Sequence, residues 1–248
     1  TDNLPMNAIK MTADELASNK GRSLVISGSN DPDNQAVVNA INTLLGNYGN
    51  TISTTKEIFV SQGNDSDVVA LVNDMQQGKV DVLLIGSTIN PAYSLPNSDA
   101  FREGLSKVGT SVSFALWQDE TATLCNVISP DNHYLESWND FYPATGHYAL
   151  AQPTIGKLYN TRQYQESILA WTGDTTEYRE FIKGVWQEYM AGLGAEGLLF
   201  DDFWYNAVRN GSVDVQLPEM VQVPVLNMNA VFASARNAAK VKSVEGYE

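Results

Sequence analysis

Three loops of this sequence carry polar side chains directly after predicted strands, at Gly28–Asp33, Gly86–Pro96 and Trp117–Thr121. Parallel α/β sheets bind ligands beyond the carboxyl ends of their strands, where loops and helix N-termini converge. The first loop could offer helix-start N–H groups to a phosphate, but Asp31 and Asp33 would oppose its charge. Neither a G-x-G-x-x-G pattern nor a P-loop pattern occurs. A capped helix after a strand is therefore the plainer interpretation of the first loop.

The second loop is more distinctive, because Gly86 allows close approach of the backbone and Asn90-Pro91 fixes a turn. Asn-Pro turns are common, so a purely structural role explains these residues as well. Two acidic pairs are more typical of solvated helix caps than of general acid–base pairs, namely Asp119-Glu120 and Asp201-Asp202.

Both histidines and the single cysteine are candidate metal ligands or nucleophiles by residue type. His133, Glu136 and His147 could together supply two imidazoles and a carboxylate to zinc, but their spacing matches no zinc signature, and we predict no metal site. A single cysteine, Cys125, excludes an internal disulfide and a four-cysteine iron–sulfur centre. Because no basic residue is near it in sequence, we expect a buried, inert thiol. The G-x-S-x-G elbow of serine hydrolases is absent.

Composition excludes further classes of function. The 248 residues include 15 basic and 29 acidic side chains, a formal net charge of −14. An acidic surface repels phosphates, so we predict no nucleic-acid partner. No apolar run approaches the ~18 residues of a membrane span, so we predict no direct span. Because the chain begins at Thr1 and shows no signal peptide, we expect a processed protein or a piece of a longer one.

Short apolar runs alternate with helical patterns in the first half of the chain. The runs that predict strands are Ser23–Ser27, Val80–Gly86, Ser111–Leu116 and Asn126–Ser129. The patterns that predict helices are Pro32 to Leu45, Ser66–Gln77 (with Val68, Val69, Leu71, Val72 and Met75 inward), Asn97 or Ser98 to Lys107, and Glu120–Leu124. The run at Val80–Gly86 is apolar enough to be covered on both faces. This alternation predicts an α/β fold, a parallel doubly wound (Rossmann-like) sheet with helices on both faces.

The second half of the chain has a different character. Residues 131–159 hold both histidines and many aromatic side chains without a clear period, and we expect a long ordered loop there. Apolar residues from Tyr178 to Met190 recur at helical spacing, and a further helix is predicted over Asp201–Arg209. We therefore predict an α/β domain over residues 1–150 and a mainly helical C-terminal region over 151–248 packed on it.

The middle of the chain resembles the molybdopterin oxidoreductase family. The motifs that carry this resemblance are Val82–Gly86, Asn90–Pro96, Asp119–Ala122, Cys125–Pro130, His133–Trp138 and Gly146–Tyr148. Within that family, the sequence looks most like the large iron–sulfur subunit of alternative complex III, a quinol-oxidising respiratory complex. The motifs for this branch are Asn90–Tyr93, Asn132–Trp138, Gln152–Ile155 and Asn160–Gln163.

The resemblance implies a ligand site and a set of partners. Six residues match the positions that hold the guanine dinucleotide end of the cofactor in molybdenum members, namely Gly28, Ser29, Gly86, Asn90, Asp119 and Thr121. The complex III subunit is thought to have lost that cofactor, and the acidic first loop agrees with loss, so we expect no cofactor in this chain. The implied partners are other subunits or domains of a respiratory membrane complex, including a ferredoxin-like iron–sulfur domain. The implied location is the periplasmic face of the inner membrane, as a peripheral protein.

Three functions stay open at this point. One is a non-catalytic structural domain of a subunit in a respiratory quinol-oxidising complex. A second is a cofactor-binding domain of an active molybdopterin oxidoreductase, which would carry molybdopterin guanine dinucleotide. A third is a stand-alone hydrolase or small-ligand binder, and it needs a pocket lined by Asn90, Asp119, His133 or Glu136.

Overall fold

The structure is a computed structural model, and it describes residues 5–60, 62–189, 192, 199–216 and 223–239. The chain divides into two compact units. One is formed by the first 57 residues together with the chain after residue 216, and the other by Ile58–Gln216. The domain boundary predicted near residue 150 stays a prediction.

The described helices and strands have the following bounds. The helices are α1 (Met6–Ser18), α2 (Pro32–Leu44), α3 (Asp65–Gln76), α4 (Pro91–Ser94), α5 (Ser98–Leu105), α6 (Tyr164–Trp171), α7 (Tyr178–Glu188), α8 (Phe200–Asn210) and α9 (Met228–Ala238). The strands are β1 (Val82–Ile85), β2 (Thr110–Ser113), β3 (Val127–Ile128), β4 (Asn139–Ala144), β5 (His147–Ala151) and β6 (Ser212–Asp214). Short 3₁₀ helices lie at Ala122–Leu124 and Tyr134–Glu136.

In the first unit, α2 begins as its sequence predicts. The Asp31 carboxylate accepts hydrogen bonds from the backbone N–H groups of Asp33 and Asn34, and Pro32 occupies the first helical position. The helix ends at Leu44, and Gly46 follows with a φ of +66°, a conformation that glycine adopts without steric cost. Helix α2 packs against α9, a helix that the sequence patterns did not predict.

The predicted buried strand Ser23–Ser27 is wrong. Among the described residues this segment pairs with no strand, and Leu24 and Ile26 are 51% and 81% exposed. The physical reason is local. The Asn42 side chain donates to the backbone carbonyl of Val25 (2.8 Å) and accepts from its N–H (3.0 Å), so it takes both groups that a neighbouring strand would use.

The second unit contains the parallel sheet, and the predicted α/β class is confirmed. Its strand order is β1-β2-β3, with both pairs parallel. Helices α3 and α5 pack together beside it, and the core there consists of Val72, Met75, Ile85, Ala92, Phe101, Leu105 and Val108. Val82 and Leu84 are more exposed than predicted, at 58% and 41%.

Two further details of this unit differ from the sequence-based expectation. On α3 only Val72 and Met75 are buried, and the other three apolar side chains predicted to face inward are exposed, namely Val68 at 38%, Val69 at 60% and Leu71 at 39%. The predicted loop Asn90–Pro96 contains the single-turn helix α4, which Pro91 can start because proline suits the first helical position.

The predicted long loop at 131–159 instead contains an antiparallel hairpin. Strands β4 and β5 pair directly, and β6 adds to β5. Gly146 turns the hairpin with a φ of +76°. The pattern concealed β4 because it includes Pro143, a residue that weakens a strand assignment. The helices predicted after it are confirmed as α7 and α8, whose buried face is Ile182, Trp186, Phe203, Trp204 and Ala207.

Candidate functional site

Two loops of the parallel sheet meet at the carboxyl ends of β1 and β2. The loop after β1 leads to Asn90, which stands directly before α4. The loop after β2 leads through Asp119 to Thr121, directly before the 3₁₀ helix Ala122–Leu124. Adjacent parallel strands end at the same edge of a sheet, so the two loops are neighbours. We call Asn90, Ala92, Glu120 and Thr121 the Asn90 cluster.

Side-chain hydrogen bonds join the two loops within the Asn90 cluster. The Thr121 hydroxyl donates to Asn90 Oδ1 (2.6 Å) and accepts from the backbone N–H of Ala92 (2.9 Å). The other end of the Asn90 amide, Nδ2, donates to Glu120 Oε2 (2.7 Å). Thr121 and Ala92 are 0% and 1% exposed. These hydrogen bonds therefore hold the two loops together at the carboxyl ends of β1 and β2.

Charged groups at the rim support this arrangement. The hydrogen bond from Asn90 lowers the pKa of the Glu120 carboxyl below its usual value, with a smaller contribution from the positive charge of Arg102. Arg102 also donates from Nη2 to the backbone carbonyl of Ala92 (2.7 Å). Asp119 Oδ1 accepts from the N–H of Ala122 (2.7 Å) and so caps the 3₁₀ helix.

The structure brings part of the predicted site together. Asn90, Asp119 and Thr121 lie on the two neighbouring loops, and Gly86 directly follows β1. A Cβ atom built on Gly86 would meet only Ile89 Cγ1, at 4.0 Å, so the surrounding chain does not require glycine there. The ligand-binding roles of these residues stay predictions.

Gly28 and Ser29 belong to the first unit. The Ser29 hydroxyl accepts from the backbone N–H of Asp31 (3.2 Å) and from Asn34 Nδ2 (3.2 Å). A Cβ on Gly28 would meet nothing within 4 Å. Ser29 therefore fixes the start of α2, consistent with the plainer interpretation of that loop.

The Asn90 cluster already uses part of the hydrogen-bonding capacity that a guanine dinucleotide held by Asn90 and Thr121 would need. One N–H of Asn90 Nδ2 donates to Glu120, and Asn90 Oδ1 accepts from Thr121. The Thr121 hydroxyl gives its one donor to Asn90, accepts from the N–H of Ala92, and is 0% exposed. Thr121 therefore cannot donate to a nucleotide without losing its bond to Asn90, whereas Asn90 keeps a second N–H and a second lone pair.

A second polar network surrounds Glu136, a residue that the sequence offered only as a candidate metal ligand or pocket residue. This carboxylate is 8% exposed. Its Oε2 accepts from the backbone N–H of His133 (3.1 Å), and its Oε1 accepts from that of Leu158 (3.1 Å). The Thr161 hydroxyl donates to Asn132 Oδ1 (2.7 Å). We call these contacts the Glu136 network.

Further hydrogen bonds of the Glu136 network involve residues that are far apart in sequence. Gln163, only 4% exposed, donates from Nε2 to the carbonyl of Trp138 (2.8 Å), and Arg162 donates from Nε to the Ser167 hydroxyl (2.9 Å). A cavity of about 500 Å³ lies beside them. Two segments form much of this network, Asn132–Trp138 and Asn160–Gln163, and both are motifs of the resemblance described above. Their joint occurrence in the sequence could have indicated that they lie together.

The contacts of the two histidines and the burial of Cys125 indicate structural roles. His133 Nδ1 accepts from the N–H of Leu135 (3.3 Å), and His147 Nδ1 lies 2.6 Å from Asp214 Oδ1 across β5 and β6. In the described ranges, no three His, Cys, Asp or Glu side chains are grouped to hold a metal ion. Burial raises the pKa of the Cys125 thiol above its usual value, which disfavours a thiolate nucleophile.

These contacts remove the support for a stand-alone hydrolase. That function needs a pocket lined by Asn90, Asp119, His133 or Glu136. Glu136 does line the cavity of about 500 Å³, but its carboxylate accepts two backbone N–H groups, and Asp119 caps a 3₁₀ helix. His133 and Glu136 form a reciprocal capping box at the start of their helical turn.

Comparison with known proteins supports part of the resemblance inferred from the sequence. No family model matches the chain. Over 88 residues, 34% of this chain, the sequence is 34% identical to the molybdopterin-binding-like subunit of a menaquinone reductase from Nitratidesulfovibrio vulgaris. The aligned part spans 13% of that protein. The similarity supports a molybdopterin oxidoreductase-like chain, and the alternative complex III branch stays a prediction.

A solved structure is similar in part. Acetylene hydratase from Pelobacter acetylenicus aligns with a TM-score of 0.44 and 16% identity, covering 60% of this chain and 21% of the hydratase. A likeness of this degree adds nothing about function. Within the residues that the structure describes, no helix is both long and apolar enough to span a bilayer.

Proposed function

We propose that this chain is a non-catalytic, molybdopterin-oxidoreductase-like structural domain of a subunit in a respiratory quinol-oxidising complex, and that it functions without a bound molybdenum cofactor. The similarity to a menaquinone reductase subunit named molybdopterin-binding-like supports the family and a complex that reacts with quinones. The quinol-oxidising direction rests on the resemblance to alternative complex III. The observation that carries the cofactor-free role is the hydrogen bonding of Asn90 and Thr121 to each other and of each to the other's loop.

Side-chain hydrogen bonds hold the two loops of this domain together at the end of the parallel sheet. Thr121 is buried, and its hydroxyl ties the loop after β1 to the loop after β2. Two large aromatic side chains stand exposed on the same loops, Tyr93 at 75% and Trp117 at 71%. Exposed aromatic residues are typical centres of protein–protein contacts. The proposed partner at this surface is the ferredoxin-like iron–sulfur domain of the same complex.

The parent subunit is proposed to lie on the periplasmic face of the inner membrane, as a peripheral protein. This location rests on the resemblance to alternative complex III. Under the same proposal, electron transfer belongs to the cluster-bearing partner, and the present chain orients that partner against other subunits.

A titration of the complete chain with the ferredoxin-like domain tests this function. We expect saturable binding that Tyr93→Ser and Trp117→Ser each weaken about tenfold or more, because exposed aromatic anchors carry much of the energy of an interface. Tyr205→Ser is the matched control, since Tyr205 is 70% exposed on α8 of the same unit. Absence of binding by the unmodified chain would contradict the proposal, as would equal weakening by the Tyr205 control.

A further inference from the structure

An aromatic slot lies between the hairpin and α7, away from the Asn90 cluster. It has a volume of about 310 Å³. Its lining consists of Asp140, Phe141, Tyr142, Tyr148, Val185, Trp186 and Tyr189. Five of these seven side chains are aromatic, and the carboxylate of Asp140 is the one charged group among them.

The rings of the slot are held in place from behind. Tyr142 and Tyr148 have ring centroids 4.6 Å apart, and Tyr148 meets Trp186 edge-on at 6.4 Å. Trp186 is only 3% exposed, and it packs edge-on against Trp204 at 5.9 Å. The Tyr142 hydroxyl accepts from the N–H of Gly146 in the hairpin turn (3.1 Å). A ligand that enters the slot would therefore contact aromatic rings that are already in position.

Asp140 is a half-buried carboxylate without a cation beside it. Its Oδ2 accepts from the indole Nε1–H of Trp186 (3.0 Å). No Lys, Arg or His nitrogen in the described part of the chain lies within 4.0 Å of it. Its negative charge reaches Tyr178, whose pKa is raised to about 12, first by burial and then by repulsion from Asp140. A carboxylate taken partly out of water loses hydration, and a positive partner beside it offsets part of that cost.

We propose that the aromatic slot binds an organic cation, an alkylammonium group whose charge lies beside Asp140 and whose carbon atoms contact the aromatic rings. Aromatic faces attract cations through their negative quadrupole, and this attraction strengthens when the cation is desolvated. The net charge of −14 favours the approach of such an ion. The group could come from a free quaternary ammonium compound or from a lysine side chain of another protein. The proposal is independent of the function proposed above.

The test compares ligands on the complete, unmodified chain. Choline is titrated by calorimetry and by NMR, and its neutral isostere, with tert-butyl in place of trimethylammonium, is titrated in parallel. A second arm uses a short peptide with a single lysine and the same peptide with glutamine. Preference for either cation over its neutral counterpart supports the proposal, and the arm that binds identifies the source. Equal affinity for charged and neutral forms, or no binding in both arms, would overturn it.

Variants place the binding in the slot. Asp140→Asn keeps an oxygen that can accept from Trp186 and removes the charge, so we expect affinity for the cation to fall about tenfold. Tyr189→Leu removes a ring from the exposed rim, where Tyr189 is 63% exposed, and a smaller loss is expected. Asp81→Asn removes one exposed carboxylate elsewhere in the same unit and should leave affinity unchanged. Unchanged affinity in Asp140→Asn would contradict the assignment.

Discussion

At the scale of single residues, Thr121 holds the Asn90 cluster together. Its hydroxyl accepts from the N–H of Ala92, and both residues are buried. Thr121→Val keeps the shape of the side chain and leaves that N–H without a partner. We expect the free energy of unfolding to fall by about 1–3 kcal/mol, measured by urea denaturation followed through tryptophan fluorescence.

The control for this prediction is a threonine two positions away. Thr123 is exposed, and its hydroxyl donates to the backbone carbonyl of Glu120 (2.9 Å). Thr123→Val should change the free energy of unfolding by no more than about 0.5 kcal/mol, as is usual at exposed positions. Equal losses in both variants would show that the buried hydroxyl of Thr121 has no special role.

A second residue-scale prediction concerns the charge of Glu120. The Asn90 amide lowers the pKa of this carboxyl, so Asn90→Ala should raise that pKa towards its usual value. Because the folded-state pKa lies below the unfolded one, the contribution to stability is present above the unfolded pKa. It is lost as the pH falls through the folded pKa.

NMR titration of the side-chain carboxyl carbons measures this shift. Glu103 is an internal control, because its pKa is lowered by Lys107 rather than by Asn90. If the pKa of Glu120 were the same with and without the Asn90 side chain, the hydrogen bond between them would not exist in solution.

At the scale of elements, Glu136 connects a 3₁₀ turn to a loop more than twenty residues later. Each of its carboxylate oxygens accepts a backbone N–H. Glu136→Gln replaces one acceptor by a donor that faces an N–H, so the free energy of unfolding should fall by about 1–3 kcal/mol. Glu177→Gln, at an exposed site, is the matched control in the same denaturation experiment. A Glu136 variant as stable as this control would refute a structural role for the network.

The residues directly before β1 and β2 lie close together, and this contact gives a further prediction at the scale of elements. A Cβ atom at Gly109 would lie 2.9 Å from the backbone carbonyl oxygen of Asp81. Gly109→Ala should therefore force the strand starts apart and cost about 1–3 kcal/mol of folding free energy, as overpacking does. Gly86→Ala, at the end of β1, meets only an ordinary contact and should be nearly neutral. The opposite order of stabilities would contradict the packing described for this sheet.

Sequence patterns predicted the elements that depend on residues close together in the chain. The Asp31 cap with Pro32 predicted α2, and an apolar run predicted β1. The strand expected at Ser23–Ser27 failed because Asn42 satisfies Val25 from seventeen residues away, which no window of sequence reveals. The hairpin was missed because Pro143 and mixed polarity hide its alternation.

The candidate site was predictable only in part, for the same reason. Asn90 and Thr121 were singled out by the family resemblance, and the structure places them in direct contact across 31 residues. Glu136 was noted as a metal candidate, but its partners at His133 and Leu158 depend on how distant loops pack. Hydrogen bonds across long sequence separations are set by tertiary structure, and sequence periodicity carries no information about them.

At the scale of the whole molecule, we propose a molybdopterin-oxidoreductase-like domain that works without the cofactor. The matching part of the menaquinone reductase subunit is 13% of that protein, so the test uses the parent protein, which is the protein as its source organism makes it. The parent should be purified from a host that makes molybdopterin guanine dinucleotide, with an active molybdenum oxidoreductase purified in parallel as the positive control.

The most direct measurement is the molybdenum, tungsten and pterin content of that purified parent. Elemental analysis gives the metals, and fluorescence after oxidation of the extract gives the pterin. We expect the metal and pterin contents of the parent to equal those of the blank, while the control enzyme gives a full complement of both. A stoichiometric pterin dinucleotide with metal in the parent, lost when Asn90 and Thr121 are replaced, would contradict the proposal.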